Sequence, residues 1–168
     1  MRERIVDTSP LIFLAYLDRL ELLKLDVQRV LVPRAVLQEI QAKQDLASKR
    51  VEEAFSQWLE VCDVSQREFL KFLGDLGEGE AEVIAQAVER KVASVVLDDF
   101  DARRRASMLD LKPIGTVGLL LAAKKRELIP SLKTELRRLR DLGFYISEEL
   151  RRMALEEAGE MGNHQGNK

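Results

Sequence analysis

The sequence predicts an α/β protein: a three-layer α/β/α sandwich around a mainly parallel, five-stranded sheet, with helices at its C-terminal end. Three observations carry this. Short β-branched runs alternate with segments of helical apolar spacing. The strongest run, Val92-Ala93-Ser94-Val95-Val96-Leu97, is apolar throughout except for Ser94, as a parallel strand buried on both faces must be. A chain of 168 residues with 46% hydrophobic and 33% charged residues suffices for one core with a solvated surface.

Arg4-Ile5-Val6 is the first strand, and it stops at Asp7-Thr8-Ser9-Pro10, where Ser9 reads as an N-cap and Pro10 as a first helical residue. Helical spacing follows over Leu11–Tyr16 and Leu20–Leu25. Val30-Leu31-Val32 is the second strand, and Pro33 opens a helix that turns Val36, Leu37 and Ile40 inward with Glu39 close by. A longer amphipathic helix runs from about Ala47 to Leu59 through Val51, Ala54, Phe55 and a core Trp58. Val61–Val64 is a weaker strand and Arg67–Leu73 a short helix.

Gly74–Glu80 reads as a turn-rich acidic loop, with a helix from Glu80 through Val83, Ile84, Ala87 and Val88. The strongest strand ends in Asp98-Asp99, a helix from about Asp101 to Leu109 follows, and Lys112–Gly115 is the last strand. Thr116 caps a helix over Val117–Leu128; helices over Ser131–Leu142 and Glu148–Glu157 close the fold. Residues 1–158 are expected to form one domain. The polar octet Met161–Lys168 lacks apolar periodicity, so residues 159–168 read as a disordered tail.

Composition excludes chemistry more sharply than it excludes partners. There is one histidine, His164, inside that tail, and one cysteine, Cys62, which reads as a buried core residue. An intrachain disulfide, a zinc site of several Cys and His ligands, and histidine-based acid–base catalysis are all disfavoured. Hydrolytic chemistry would fall to carboxylates, whose hard oxygens suit Mg²⁺ or Mn²⁺. A net charge of -2 marks neither a nucleic-acid binder nor an acidic solvating protein. No segment reaches the roughly 18 apolar residues of a membrane span, so a soluble, cytoplasmic protein with no membrane partner is expected.

In open parallel sheets, ligands bind outside the carboxyl ends of the strands. Asp7 ends the first strand, Asp98 and Asp99 end the strongest one, Glu39 lies about two turns into the helix after the second strand, and Glu80 opens a helix. Acids from distant parts of the chain thus gather at one edge. Crowded carboxylates raise one another's pKa values unless a divalent ion neutralises them. Such an ion acidifies a water and orients a phosphodiester for in-line attack.

Ile5-Val6-Asp7-Thr8-Ser9-Pro10-Leu11, Val32-Pro33-Arg34-Ala35-Val36-Leu37-Gln38-Glu39-Ile40, Gly77-Glu78-Gly79-Glu80-Ala81-Glu82-Val83-Ile84-Ala85 and Val95-Val96-Leu97-Asp98-Asp99 occur in the order seen in PIN-domain proteins. Together with Ile114–Leu120 and Gly143–Ser147, they resemble a prokaryotic branch of predicted nucleic-acid-binding proteins related to the toxin nucleases of toxin–antitoxin pairs. The resemblance spans about residues 4–158. It implies a Mg²⁺- or Mn²⁺-dependent ribonuclease whose catalytic, metal-holding acids match Asp7, Glu39, Glu80 and Asp99. Asp98 competes with Asp99 for the fourth position. Glu78 and Glu82 compete with Glu80, although Glu82 falls about 200° around the helix from it. Related toxins often carry Asp at the third position, so Glu80 is a longer-armed departure. Thr8 and Ser9 are candidates to support the metal site and substrate, or simply to cap a helix.

Arg103-Arg104-Arg105 follows the Asp98-Asp99 turn by about one helical turn, so a guanidinium such as that of Arg103 can face the acidic edge and hold a phosphate. Lys124-Lys125-Arg126 and Arg137-Arg138-Leu139-Arg140 add local positive charge. RNA, single-stranded or structured, is the expected substrate, with a cognate antitoxin and a second copy of the chain, in a homodimer, as expected partners. A catalytically silent PIN module that binds nucleic acid or protein is the alternative. Receiver-like and dehalogenase-like phosphotransfer sites are disfavoured, because Asp7-Thr8 replaces an acidic pair and Ser9 stands where a second Asp would be needed.

Overall fold

The computed structural model describes residues 1–161, which form two compact units, Met1–Gly115 and the segment from Thr116 onward. In the first unit, β1 (Glu3–Val6) leads to α1 (Thr8–Tyr16) and a 3₁₀ turn over Leu20–Lys24. Then come β2 (Arg29–Pro33), α2 (Arg34–Lys43), α3 (Leu46–Phe55) and β3 (Leu59–Cys62). A 3₁₀ segment, Arg67–Leu73, precedes α4 (Glu78–Arg90), β4 (Ser94–Val96), α5 (Phe100–Met108) and β5 (Lys112–Ile114). The sheet is five-stranded and wholly parallel in the order β3-β2-β1-β4-β5, flanked by helices. The expected α/β/α architecture is the observed one.

The core follows from the β-branched runs. Ile5, Val6, Val32, Val95, Val96 and Leu97 have no solvent exposure, and α1, α2 and α4 bury Leu11, Leu14, Val36, Ile40, Val83 and Ile84 against one another and the sheet. Each such aliphatic contributes about 1.5–3 kcal/mol of burial. Cys62 is buried, and burial pushes its thiol up to about 12, so it stays protonated and inert at neutral pH.

Several local expectations change. Ser9 does not cap α1: the helix starts two residues earlier than expected, at Thr8, with Asp7 in the N-cap position. Helix α4 opens at Glu78 rather than Glu80, because Gly77 takes the extended N-cap conformation and Glu80 reaches back to its N–H. The segment around Leu20–Leu25 is a 3₁₀ turn, the helix expected to reach Leu59 ends at Phe55, and the third strand begins at Leu59. Trp58 is half-buried, not a core residue; its ring lies under Lys24 Nζ at 5.0 Å from the centroid.

The strand order places a topological switch point between β1 and β4, since the chain leaves β1 toward β2 on one side and meets β4 on the other. There, one residue past β1, Asp7 N donates to Val96 O at 3.1 Å. Crevices form at such points in parallel sheets.

The second unit packs α6 (Thr116–Lys125), α7 (Leu132–Asp141) and α8 (Glu148–Glu157) on one another. Leu132, Leu136 and Leu139 line the buried side of α7, and Arg137 and Arg140 are exposed. Of the expected tail 159–168, Glu160 holds the start of α7: its carboxylate accepts from Leu132 N at 2.6 Å and Lys133 N at 3.0 Å. Residues 162–168, His164 among them, lie outside the described residues. No helix among the described residues is long and apolar enough to cross a membrane.

Candidate active site

A cleft of about 480 Å³ opens at the switch point, lined by Asp7, Thr8, Ser9, Glu39, Lys43 and the Gly77–Glu80 turn, with Ile12 and Phe13 as its apolar wall. Asp7 is 6% exposed. Burial is the main force raising its carboxyl to about 7; a backbone hydrogen bond from Thr8 opposes this, and Glu80, Glu39 and Asp98 add repulsion.

Glu39, on the exposed side of α2, meets Asp7 over the backbone of Gly79. A Cβ on Gly79 would stand 3.2 Å from Asp7 Oδ1 and would collide with Glu39 Oε1. Two carboxylate oxygens from different elements therefore converge over bare main chain. Beside Asp7, Thr8 Oγ1 is buried without a hydrogen-bond partner. Converging hard oxygens and an unsatisfied hydroxyl are the donor chemistry that Mg²⁺ or Mn²⁺ takes, so these residues fit a divalent cation.

The remaining acids sit around this pair. Glu80 Oε1 accepts from Gly77 N at 3.0 Å; partial burial raises its carboxyl, the Gly77 N–H lowers it, and Asp99, Glu39 and Asp101 raise it further. Asp98 Oδ2 accepts from Ser9 Oγ at 3.1 Å, which gives Ser9 a tertiary partner in place of the capping role. Asp99 instead caps α5, accepting from Ala102 N at 3.0 Å. Asp98 is among the acids that repel the Asp7 carboxylate, and Asp99 among those that repel Glu80. Among the described residues no three acids are grouped as a ready-made metal cage, and Glu80 and Asp99 each give one oxygen to a backbone N–H at a helix N-terminus.

Arg103 lies beside Asp98 and does not line the cleft. A Cβ at Gly115 would stand 2.5 Å from its Nη1 and 3.1 Å from Asp98 Oδ1. Glu78 lines the cleft mouth, whereas Glu82 is 4% exposed and serves elsewhere: its Oε1 accepts from Ala35 N, in the first turn of α2, at 3.0 Å. Sequence reasoning missed Lys43 and Gly79. Lys43 was findable, since it stands four residues after Glu39 on the same helical face. The clearance at Gly79 depends on α2 and carries no sequence signal.

The cap at Asp99 gives a measurable consequence. Asp99→Ala is expected to lower stability by about 1 kcal/mol, while Asp99→Ser, which keeps a capping oxygen, stays near wild type in thermal unfolding.

A wholly parallel sheet in this order, with an acidic cleft at its switch point, defines an α/β/α domain with a candidate active site. A family profile described as PIN domain matches residues 3–160, and the chain belongs to the PIN-domain family. Among solved structures it is similar to a PilT N-terminus domain protein from the hyperthermophilic archaeon Sulfolobus solfataricus P2. The TM-score is 0.52 at 17% identity, covering 72% of this chain and 92% of that one. This likeness concerns the fold. No curated protein matches the sequence.

Proposed function

We propose that the chain is a divalent-metal-dependent endoribonuclease that hydrolyses RNA phosphodiesters at the Asp7 cleft. The observation that carries this reading is the convergence of Asp7 and Glu39 over Gly79 in an open cleft. Asp7 and Glu39, with Glu80 and one of Asp98 and Asp99 at the rim, would hold Mg²⁺ or Mn²⁺, as PIN nucleases typically do. When bound, the ion supplies a nucleophilic hydroxide and charge neutralisation at the phosphate.

The chain's own groups do the rest. Lys43 presents a cation to a phosphate entering the cleft, and Ile12 and Phe13 give it an apolar wall. Ser9 fixes the Asp98 carboxylate, and Arg103 offers a guanidinium at the same edge. A toxin role with a cognate antitoxin, or a homodimer, would use exposed apolar side chains such as Tyr145, Leu150 and Met153 of the second unit.

The purified protein is expected to cleave unstructured RNA with Mn²⁺ or Mg²⁺ and to stop on adding chelator. Cleavage that persists in chelator contradicts the proposal. A catalytically silent module that only binds RNA or a protein is favoured by one observation, the commitment of Glu80 and Asp99 to backbone N–H groups. It predicts RNA retention with no metal-stimulated product.

A further inference from the structure

We propose that Gly79 is a positioning residue of the metal site: its missing side chain is what lets the Glu39 and Asp7 carboxylates approach each other. The proposal rests on the metal-dependent reading above and extends it to a residue that has no ligating atom.

Glycine at this position needs an explanation. Gly79 is the second residue of α4 and its φ lies outside the left-handed region, so any L-residue could adopt its backbone conformation. Helix formation alone would favour alanine, by up to about 1 kcal/mol in a helix interior. Flexibility is not in use either, because the residue is buried between α2 and the end of β1. What glycine supplies is space.

The space is bounded unequally. A Cβ there would stand 3.2 Å from Val36 Cγ2 and 3.2 Å from Asp7 Oδ1, both on wholly or nearly buried side chains, and would overlap Glu39 Oε1. Of the three, the Glu39 carboxylate is the far end of a flexible side chain at an exposed position. The cheapest relief of Gly79→Ala is therefore to swing Glu39 out toward solvent while the core keeps its packing. The variant loses one of two converging oxygens without losing the fold, an outcome that a purely structural role for the glycine does not produce.

The test measures Mn²⁺ binding by titration calorimetry, with circular dichroism and thermal unfolding in parallel, on wild type, Gly79→Ala and Gly74→Ala. Gly74 is the control, since a Cβ there meets Lys71 O only at an ordinary 3.6 Å. Gly79→Ala is expected to fold like wild type, to bind Mn²⁺ at least about tenfold more weakly and to lose the Mn²⁺-induced rise in Tm, whereas Gly74→Ala binds normally. If Gly79→Ala does not fold, Val36→Ala/Gly79→Ala, which removes the branched methyls the new Cβ would press on, takes the same measurement. A folded Gly79→Ala protein, alone or with Val36→Ala, that binds Mn²⁺ within twofold of wild type overturns the proposal and leaves the metal-dependent reading standing. A wild-type protein that binds no Mn²⁺ overturns both.

Discussion

Replacing Asp7 with Asn is expected to reduce RNA cleavage by at least about a hundredfold and, in the same protein, to raise stability above neutral pH in the absence of divalent ions. Both effects come from one buried carboxylate. Burial first, and then the neighbouring acids Glu80, Glu39 and Asp98, raise its pKa from 3.8 to about 7. A group whose pKa is higher in the folded chain binds its proton more tightly there. Stability therefore falls as pH rises from about 4 to about 7, and levels off once both states are ionised. The full effect is on the order of 4 kcal/mol. Asn keeps the volume and never ionises, so this contribution is absent from its profile across that window. Thermal unfolding in chelator from pH 4 to pH 8 checks this: the Tm difference between variant and wild type should start near zero and grow. Parallel profiles would contradict the electrostatic account. Mn²⁺ should narrow the gap at pH 8, because a bound cation neutralises what the empty cluster must tolerate.

The site was legible in the sequence where its residues sit at the ends of strands, and illegible where their orientation is set by tertiary contacts. Asp7 follows directly from a β-branched run that stops, and the switch-point rule then gives it a role. Ser9 before Pro10 satisfies the local rule for a helix cap, but the Asp98 acceptor that claims its hydroxyl lies 89 residues away in the chain. Asp98 and Asp99 are indistinguishable as neighbours in a sequence. The fold separates them, turning one across to Ser9 and the other back onto α5. The run Gly77-Glu78-Gly79-Glu80 reads as a loop because two glycines break helical propensity, yet an extended Gly77 and a reaching Glu80 start the helix there. The parallel sheet needed only alternation and burial to be read, which is why the fold was clearer than the site.

The acids Glu80 and Glu82, two residues apart on α4, are expected to fail in opposite ways when removed. Helix α2 begins at Arg34 after Pro33, which offers no capping side chain, so Ala35 N–H depends on Glu82 Oε1 arriving from α4. Glu82→Ala leaves that donor buried and unpaired and removes a charge-assisted hydrogen bond, for a loss of about 2–3 kcal/mol and a Tm lower by roughly 5–10 °C. The Arg67 contact to its other oxygen, at 3.4 Å from a mostly exposed guanidinium, adds little. Glu80→Ala removes a cap on Gly77 N–H but also relieves repulsion from Asp99 and Glu39, so its stability should stay within about 1 kcal/mol of wild type while cleavage is lost. Below its lowered Tm, Glu82→Ala should cleave RNA at a rate near wild type, since its carboxylate faces α2 rather than the cleft. Measuring Tm and cleavage on both variants decides the third acid: a stable Glu82→Ala protein without activity would move the role from Glu80 to Glu82.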